Sequence, residues 1–192
     1  MHIIFYGPEG SGKGTQAKLL SEKLHIPVMT SGDLVRDAAA NDKGLIGEAC
    51  RRAITKGRYV PNSEMFVLWK NKIKQKEMGR DWIMDGFPRN ITQAKFLDKK
   101  LAKYGYKVEK VIYIVISPKE SMKRLLKRKR PLHLGNDELH DSPMRIRARL
   151  STYYKLEPAM VNYYAKKGIL EKVDGERSIA QIHQDIMSRI NR

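Results

Sequence analysis

The chain has 192 residues, 41% hydrophobic and 31% charged, which suits one soluble domain with a substantial core and is short for two. No apolar run reaches membrane-spanning length, and the N-terminal apolar stretch, about five residues, is too short for a signal peptide. The formal net charge of +17 fits anionic substrates and would also fit nucleic acid. Much of it, however, lies on predicted helices as Lys70, Lys72, Lys74, Lys76, Lys99, Lys100 and Lys103, which read as solvated faces. Without interleaved aromatics there is no stacking platform for single strands, so a polynucleotide partner is not expected. Cys50 is the single cysteine, which excludes an intramolecular disulfide and a cysteine-cage structural zinc. Set among Ile46, Ala49 and Ala53, it reads as a buried thiol in a reducing cytoplasm.

In chain order, Ile3-Ile4-Phe5-Tyr6 reads as a buried strand, and Gln16 to Leu24 as a helix with Ala17, Leu20 and Leu24 at helical spacing. Between them lies Gly7-Pro8-Glu9-Gly10-Ser11-Gly12-Lys13-Gly14-Thr15. Pro27-Val28-Met29 is a short extended segment, followed by a helix through Leu34, Val35 and Ala38, a turn at Asn41–Gly44, and a helix from Leu45 to Lys56 closed by Gly57. Val60-Pro61-Asn62-Ser63 opens a helix with Met65, Leu68, Trp69 and Ile73 as its apolar stripe. Trp82-Ile83-Met84 is a buried strand running into Asp85-Gly86-Phe87-Pro88-Arg89, with a helix from Asn90 to Tyr104 stopped by Gly105. Val111 to Ile116 is the most continuous apolar run and predicts a central parallel strand. Ser117-Pro118-Lys119-Glu120 predicts a capping box, with Glu120 reaching back, for a helix to about Lys129. Pro131 to Asp141 reads as a loop, Ser142-Pro143 opens a long helix that Pro158 should kink or interrupt, and Ile169 to Val173 is a last strand. A final helix carries Ile179, Ile182, Ile186 and Ile190 on one side. Five strands alternating with helices predict a doubly wound α/β fold: a five-stranded parallel sheet with helices on both faces and ligands at the carboxyl ends of the strands.

Strand, glycine-rich turn and helix make the Gly7–Thr15 stretch a phosphate-binding loop. Glycines let successive backbone N–H groups face inward, and the following helix adds its positive dipole end. Lys13 supplies a point charge for the phosphates, and Thr15 offers a hydroxyl for Mg²⁺, although Gly14 stands directly after the lysine, where Ser or Thr is usual. Asp85 ends a buried strand, where an acidic residue can meet Mg²⁺ through water; a helix-capping aspartate is the plain alternative. Arg36 and Arg89 follow strand ends, and Arg124 and Arg128 share one helix face. Arg147 and Arg149 cannot share a face, so at most one of them joins the others. Guanidinium forks at these places provide the distributed positive charge that phosphoryl transfer needs on its equatorial oxygens.

These motifs, together with Ser31-Gly32-Asp33 before Arg36, Gly57 before Val60-Pro61, Gln93 after Asp85–Arg89, and Ile146-Arg147-x-Arg149-Leu150, resemble the adenylate kinase family over essentially the whole chain, in order. The resemblance implies Mg-dependent transfer of the ATP γ-phosphoryl to AMP, giving two ADP, by a cytoplasmic monomer. It implies that Gly10, Ser11, Gly12, Lys13, Gly14 and Thr15 hold ATP with Arg124 and Arg128, and that Arg177 makes a backbone contact to the ATP base. It places AMP on Ser31, Arg36, Arg58, Tyr59, Val60, Gly86, Phe87, Pro88, Arg89, Gln93 and Arg149. Arg124, Arg128 and Arg149 would converge on the transferred group. Residues 31–60 would form a monophosphate-binding flap and 129–141 a short lid, with 1–30, 61–128 and 142–192 as the core of one domain. Gln93 favours AMP; the pyrimidine kinases, the alternative within this group, carry Asn near that position. A nucleotide- or RNA-binding protein on the same scaffold is the alternative from another class.

Several positions depart from the family pattern. Glu138-Leu139-His140-Asp141 stands where Arg-x-Asp-Asp is usual, so the lid arginine is replaced by Glu138, and Arg130 or Arg145 is left as a substitute. Glu9 inside the phosphate loop would repel phosphates and is expected to point to solvent. Asn62, where Asp is frequent, reads as an exchange of helix caps with little consequence, and Ser31 keeps the hydroxyl of the usual Thr.

Overall fold

The computed structural model describes residues 1–75, 80–130 and 141–190. Lys76, Glu138, His140 and most of the expected lid lie outside the described residues. Five strands, β1 (His2–Tyr6), β2 (Val28–Thr30), β3 (Trp82–Asp85), β4 (Lys110–Val115) and β5 (Leu170–Asp174), form one parallel sheet in the order β2-β3-β1-β4-β5. The helices are α1 (Lys13–Leu24), α2 (Ser31–Asn41), α3 (Leu45–Thr55), α4 (Asn62–Ile73), α5 (Ile91–Ala102), α6 (Pro118–Arg128), α7 (Pro143–Lys166) and α8 (Ile179–Ile190). β1 holds the middle of the sheet, and the most continuous apolar run, β4, lies beside it as an interior strand.

Alternation along β1 builds two cores, because successive side chains of a strand point to opposite faces. Ile3 and Phe5 join Ala17 and Leu20 of α1 and Ile182, Ile186 and Ile190 of α8. Ile4 and Tyr6 join Met65 and Trp69 of α4, Ala94 and Leu97 of α5, and Met160 and Tyr164 of α7. Leu125, Ile146 and Leu150 fasten α6 to α7 in a third, smaller cluster. Ile179, expected on the inner side of α8, is 59% exposed at the helix start. The first turn of α1 is tied to that start instead by the buried Gln16, whose Nε2 donates to the carbonyl of Ile179 at 2.9 Å. Cys50 is fully buried, and burial pushes its thiol pKa up.

Three sequence expectations are corrected here. α7 runs through Pro158 without a break; buried Leu150, Met160 and Tyr164 on both sides of the proline hold the helix to its neighbours and outweigh the lost hydrogen bond. At the start of α6, Ser117 Oγ does accept from the N–H of Glu120, but the reciprocal arm comes from elsewhere: Ser117 N–H donates to Glu176 Oε1 at 2.7 Å while Glu120 turns to Arg124. Asn62 does not cap α4, whose preceding position is Pro61; its side chain crosses to α5.

Candidate functional site

The carboxyl ends of β1, β2 and β3 open into a cleft of about 650 Å³. Gly7–Gly12 winds from β1 into α1, with Gly7, Gly10 and Gly12 at positive φ. Gly7 is the tightest: a Cβ there would lie 2.3 Å from the carbonyl oxygen of Ile114, so only glycine permits this approach of loop to β4. Ser121 of α6 donates its hydroxyl to the carbonyl of Glu9, which fixes the loop from the other side. Lys13 folds back into the loop, its Nζ donating to the carbonyls of Gly7 and Pro8 at 2.8 Å each. Burial pushes the Lys13 pKa down, against the nearby charges of Asp85 and Glu9. Burial pushes Asp85 up, against Lys13 and Arg89. The Asp85 carboxylate lies against the first turn of α1: a Cβ at Gly14 would sit 3.5 Å from Asp85 Oδ2, an ordinary contact.

Opposite the loop, the wall of β2, α2 and α3 is held to the β3 turn by polar contacts. Ser31 Oγ donates to the carbonyl of Gly86 at 2.8 Å, which also accepts from Arg89 Nε at 2.8 Å. The Arg89 guanidinium lies 4.0 Å above the ring of Tyr59. Arg36 turns back on Asp33 over Gly32. Gln93 is buried beneath, with Oε1 accepting from the Arg89 N–H at 2.7 Å and Nε2 donating to Asn62 Oδ1 at 2.8 Å. Asn62 Oδ1 also accepts from Asn90, so this residue positions Gln93 and has more than a local consequence.

The arginines of α6 and α7 close the third side. Arg128 makes a bidentate pair with Asp141, Nε to Oδ2 at 2.7 Å and Nη2 to Oδ1 at 3.0 Å. Arg149 Nη2 reaches the same Oδ1 at 3.1 Å, and its Nε reaches Glu9 Oε2 at 3.0 Å. Both Arg149 and Asp141 are buried, while Arg147 is exposed, as the spacing required. Arg124 pairs with Glu120 at 2.7 Å and touches the carbonyl of Gly10. Arg130 lines the cleft; Arg145 lies against Gly57, where a Cβ would meet its Cδ at 2.9 Å.

Glu9 therefore does not point to solvent: its carboxylate is only 24% exposed and lies among Arg149, Arg128 and the Tyr59 hydroxyl. The expectation weighed the missing phosphates and overlooked the arginines. Of the expected site residues, Gly10, Gly12, Lys13, Gly14, Thr15, Ser31, Arg36, Arg58, Tyr59, Val60, Asp85, Gly86, Pro88, Arg89, Gln93, Arg124, Arg128 and Arg149 line the cleft. Three do not. Ser11 is buried within the loop; Phe87 stacks on Trp69 in the core, 4.8 Å between centroids; and Arg177 pairs with Asp174 and Asp185 at the β5–α8 turn. Asp141 was missed. Its signal lay directly before Ser142-Pro143, where Asp141 keeps the last acid of the Arg-x-Asp-Asp stretch between two arginine-bearing helices.

A Mg²⁺ ion fits this donor set. Asp85 and Thr15 offer one carboxylate and one hydroxyl beside a phosphate cradle, which suits an ion that keeps waters and takes substrate oxygens. Among the described residues no three His, Cys, Asp or Glu side chains converge as a metal cage, and no helix is long and apolar enough to cross a membrane.

A family model for adenylate kinase matches residues 5–169. An adenylate kinase of Chelativorans sp. (strain BNC1) is 35% identical, covering 97% of this chain and 96% of its own length. One of Archaeoglobus fulgidus is 33% identical over 97% and 96%, and adenylate kinase 1 of Synechocystis sp. is 36% identical over 94% and 91%.

Proposed function

The chain belongs to the adenylate kinase family, and from that membership we propose how its own cleft divides the work of moving a phosphoryl group from ATP to AMP. ATP enters with its phosphates on the Gly7–Thr15 loop, where inward backbone N–H groups and the α1 dipole replace the water it loses. Lys13 leaves the carbonyls of Gly7 and Pro8 to follow the phosphates. AMP takes the opposite wall, its phosphate between Arg36 and Arg89 and its base toward Gln93. Arg128 and Arg149, held by Asp141, face the gap between the two nucleotides with Arg124, and their charge is aimed at the equatorial oxygens of the group in transit. Arg130, which lines the cleft, stands in for the lid arginine replaced by Glu138. A bound Mg²⁺ near Asp85 and Thr15 would neutralise charge on the ATP phosphates.

No general base is required, because the AMP phosphate is already ionised at neutral pH. What the protein must do is orient the two phosphates in line and exclude water, which would otherwise accept the group. Residues 31–60 act as the flap that covers AMP, and the chain works as a monomer in the cytoplasm.

The observation that carries this reading is the convergence of Arg128 and Arg149, from separate helices, beside the Lys13 loop. A coupled assay should show ADP formation dependent on AMP, with CMP and UMP turned over far more slowly. Equal or better turnover of CMP would overturn the AMP assignment, and absence of AMP-dependent ADP formation the whole reading.

A further inference from the structure

We propose that Glu9 is a resident counter-anion of the arginine cluster: a carboxylate that occupies the transferred phosphoryl's place in the empty cleft and is expelled when that group arrives. This rests on the reading of the cleft as the phosphoryl-transfer site. Glu9 sits within the phosphate loop itself, between Pro8 and Gly10, so its backbone belongs to one nucleotide's cradle. Its side chain leaves that cradle and bridges to the other two walls. Oε2 accepts from Arg149 Nε at 3.0 Å and lies 3.9 Å from Arg128 Nη2, while Oε1 accepts from the Tyr59 hydroxyl at 3.0 Å. Tyr59 in turn carries Arg89 over its ring. One carboxylate rooted in the loop thus reaches Tyr59 and the α7 arginine at the point where two nucleotides would meet.

Burial pushes the Glu9 carboxyl up, yet Arg149, Arg89 and the Tyr59 hydrogen bond outweigh it and hold the pKa below the usual carboxylate range. The group is an anion at neutral pH. A carboxylate and a phosphoryl compete for the same guanidinium N–H donors, and two anions within a few ångströms of each other repel strongly in a partly dry cleft. Phosphoryl binding and the Glu9–Arg149 pair therefore oppose each other. Two consequences follow from linkage. Without nucleotide, Glu9 keeps buried arginines compensated and the flap attached through Tyr59. With nucleotide, the expelled carboxylate disfavours the complex and favours release, so Glu9 trades affinity for turnover. Glu9 is a positioning residue here; it passes no proton and bonds to no reacting atom.

The test is Glu9→Gln, which keeps the size and the acceptor for Tyr59 and removes the charge, with Tyr59→Phe as a second variant that loosens Glu9 and leaves its charge. Melting temperature and calorimetric affinity are measured with and without a bisubstrate dinucleotide, and affinity for inorganic tripolyphosphate is measured as well. We expect E9Q to melt lower when empty, to bind both probes roughly tenfold more tightly, and to show lower KM with lower kcat. Y59F should move in the same direction by less. A purely structural Glu9 would lower the melting temperature of both states equally and leave KM and affinity unmoved, and that result overturns the proposal. Lys13→Met serves as the reference. If it abolishes transfer while E9Q changes nothing, the counter-anion fails and the site assignment stands; if it leaves transfer intact, the site assignment itself fails.

Discussion

The two sides of the cleft are built from different materials. The phosphate loop is backbone: contiguous residues whose glycines bend the chain until its own amides form the receptor. The arginine side is assembled from α6, α7 and the turn after β3, and three of its guanidiniums are held by acids: Arg128 and Arg149 by Asp141, Arg149 again by Glu9, and Arg124 by Glu120 one turn earlier on the same helix. A backbone receptor needs no counter-charge when empty, because N–H dipoles can point at water. A buried guanidinium such as that of Arg149 does need one, since an uncompensated buried charge costs several kcal/mol. The contrast teaches that acids in such a cleft do two things at once: they keep the cations compensated and in place, and they compete with the anion those cations receive.

The contrast can be broken most severely at Lys13, the cation of the phosphate loop. Lys13→Met should reduce turnover by about 10³-fold, near 4 kcal/mol, with the melting temperature little changed; single-turnover assays and calorimetry check this. On the other side, Asp141→Asn should act on stability first. Removing one partner of a buried pair leaves Arg128 and Arg149 less compensated, a cost of about 3 kcal/mol in denaturant unfolding, with a fall in kcat as the guanidiniums lose their orientation. If instead Lys13→Met unfolds the protein and Asp141→Asn affects only rate, the division into two materials is mistaken. The smallest effect is expected at Asn62→Ala, which leaves Gln93 Nε2 without its acceptor. KM for AMP should rise roughly fivefold, about 1 kcal/mol, with KM for ATP and kcat unchanged.

The same contrast explains what the sequence made legible. The loop, Lys13 and the strand-end Asp85 are local patterns whose geometry follows from glycine positions and a strand–turn–helix context, and they lie where the pattern put them. The sheet and its helices follow from apolar periodicity, down to the Ser117 cap of α6. What escaped was pairing between distant residues: Glu9 with Arg149, Asn62 with Gln93, Glu176 with Ser117. A carboxylate in a phosphate loop looks repulsive until the guanidinium facing it, 140 positions away, is known. Pro158 carried the opposite error, since a local helix-breaking signal was overridden by packing on both sides of it.

The buried amide of Gln16, tied to the carbonyl of Ile179, joins the helix that follows the phosphate loop to the last helix described. Two helices 163 positions apart at this contact therefore brace one another. The shelf beneath the nucleotide cradle is thus complete only with Ile182, Ile186 and Ile190 of α8 packed under the sheet beside Ala17 and Leu20 of α1.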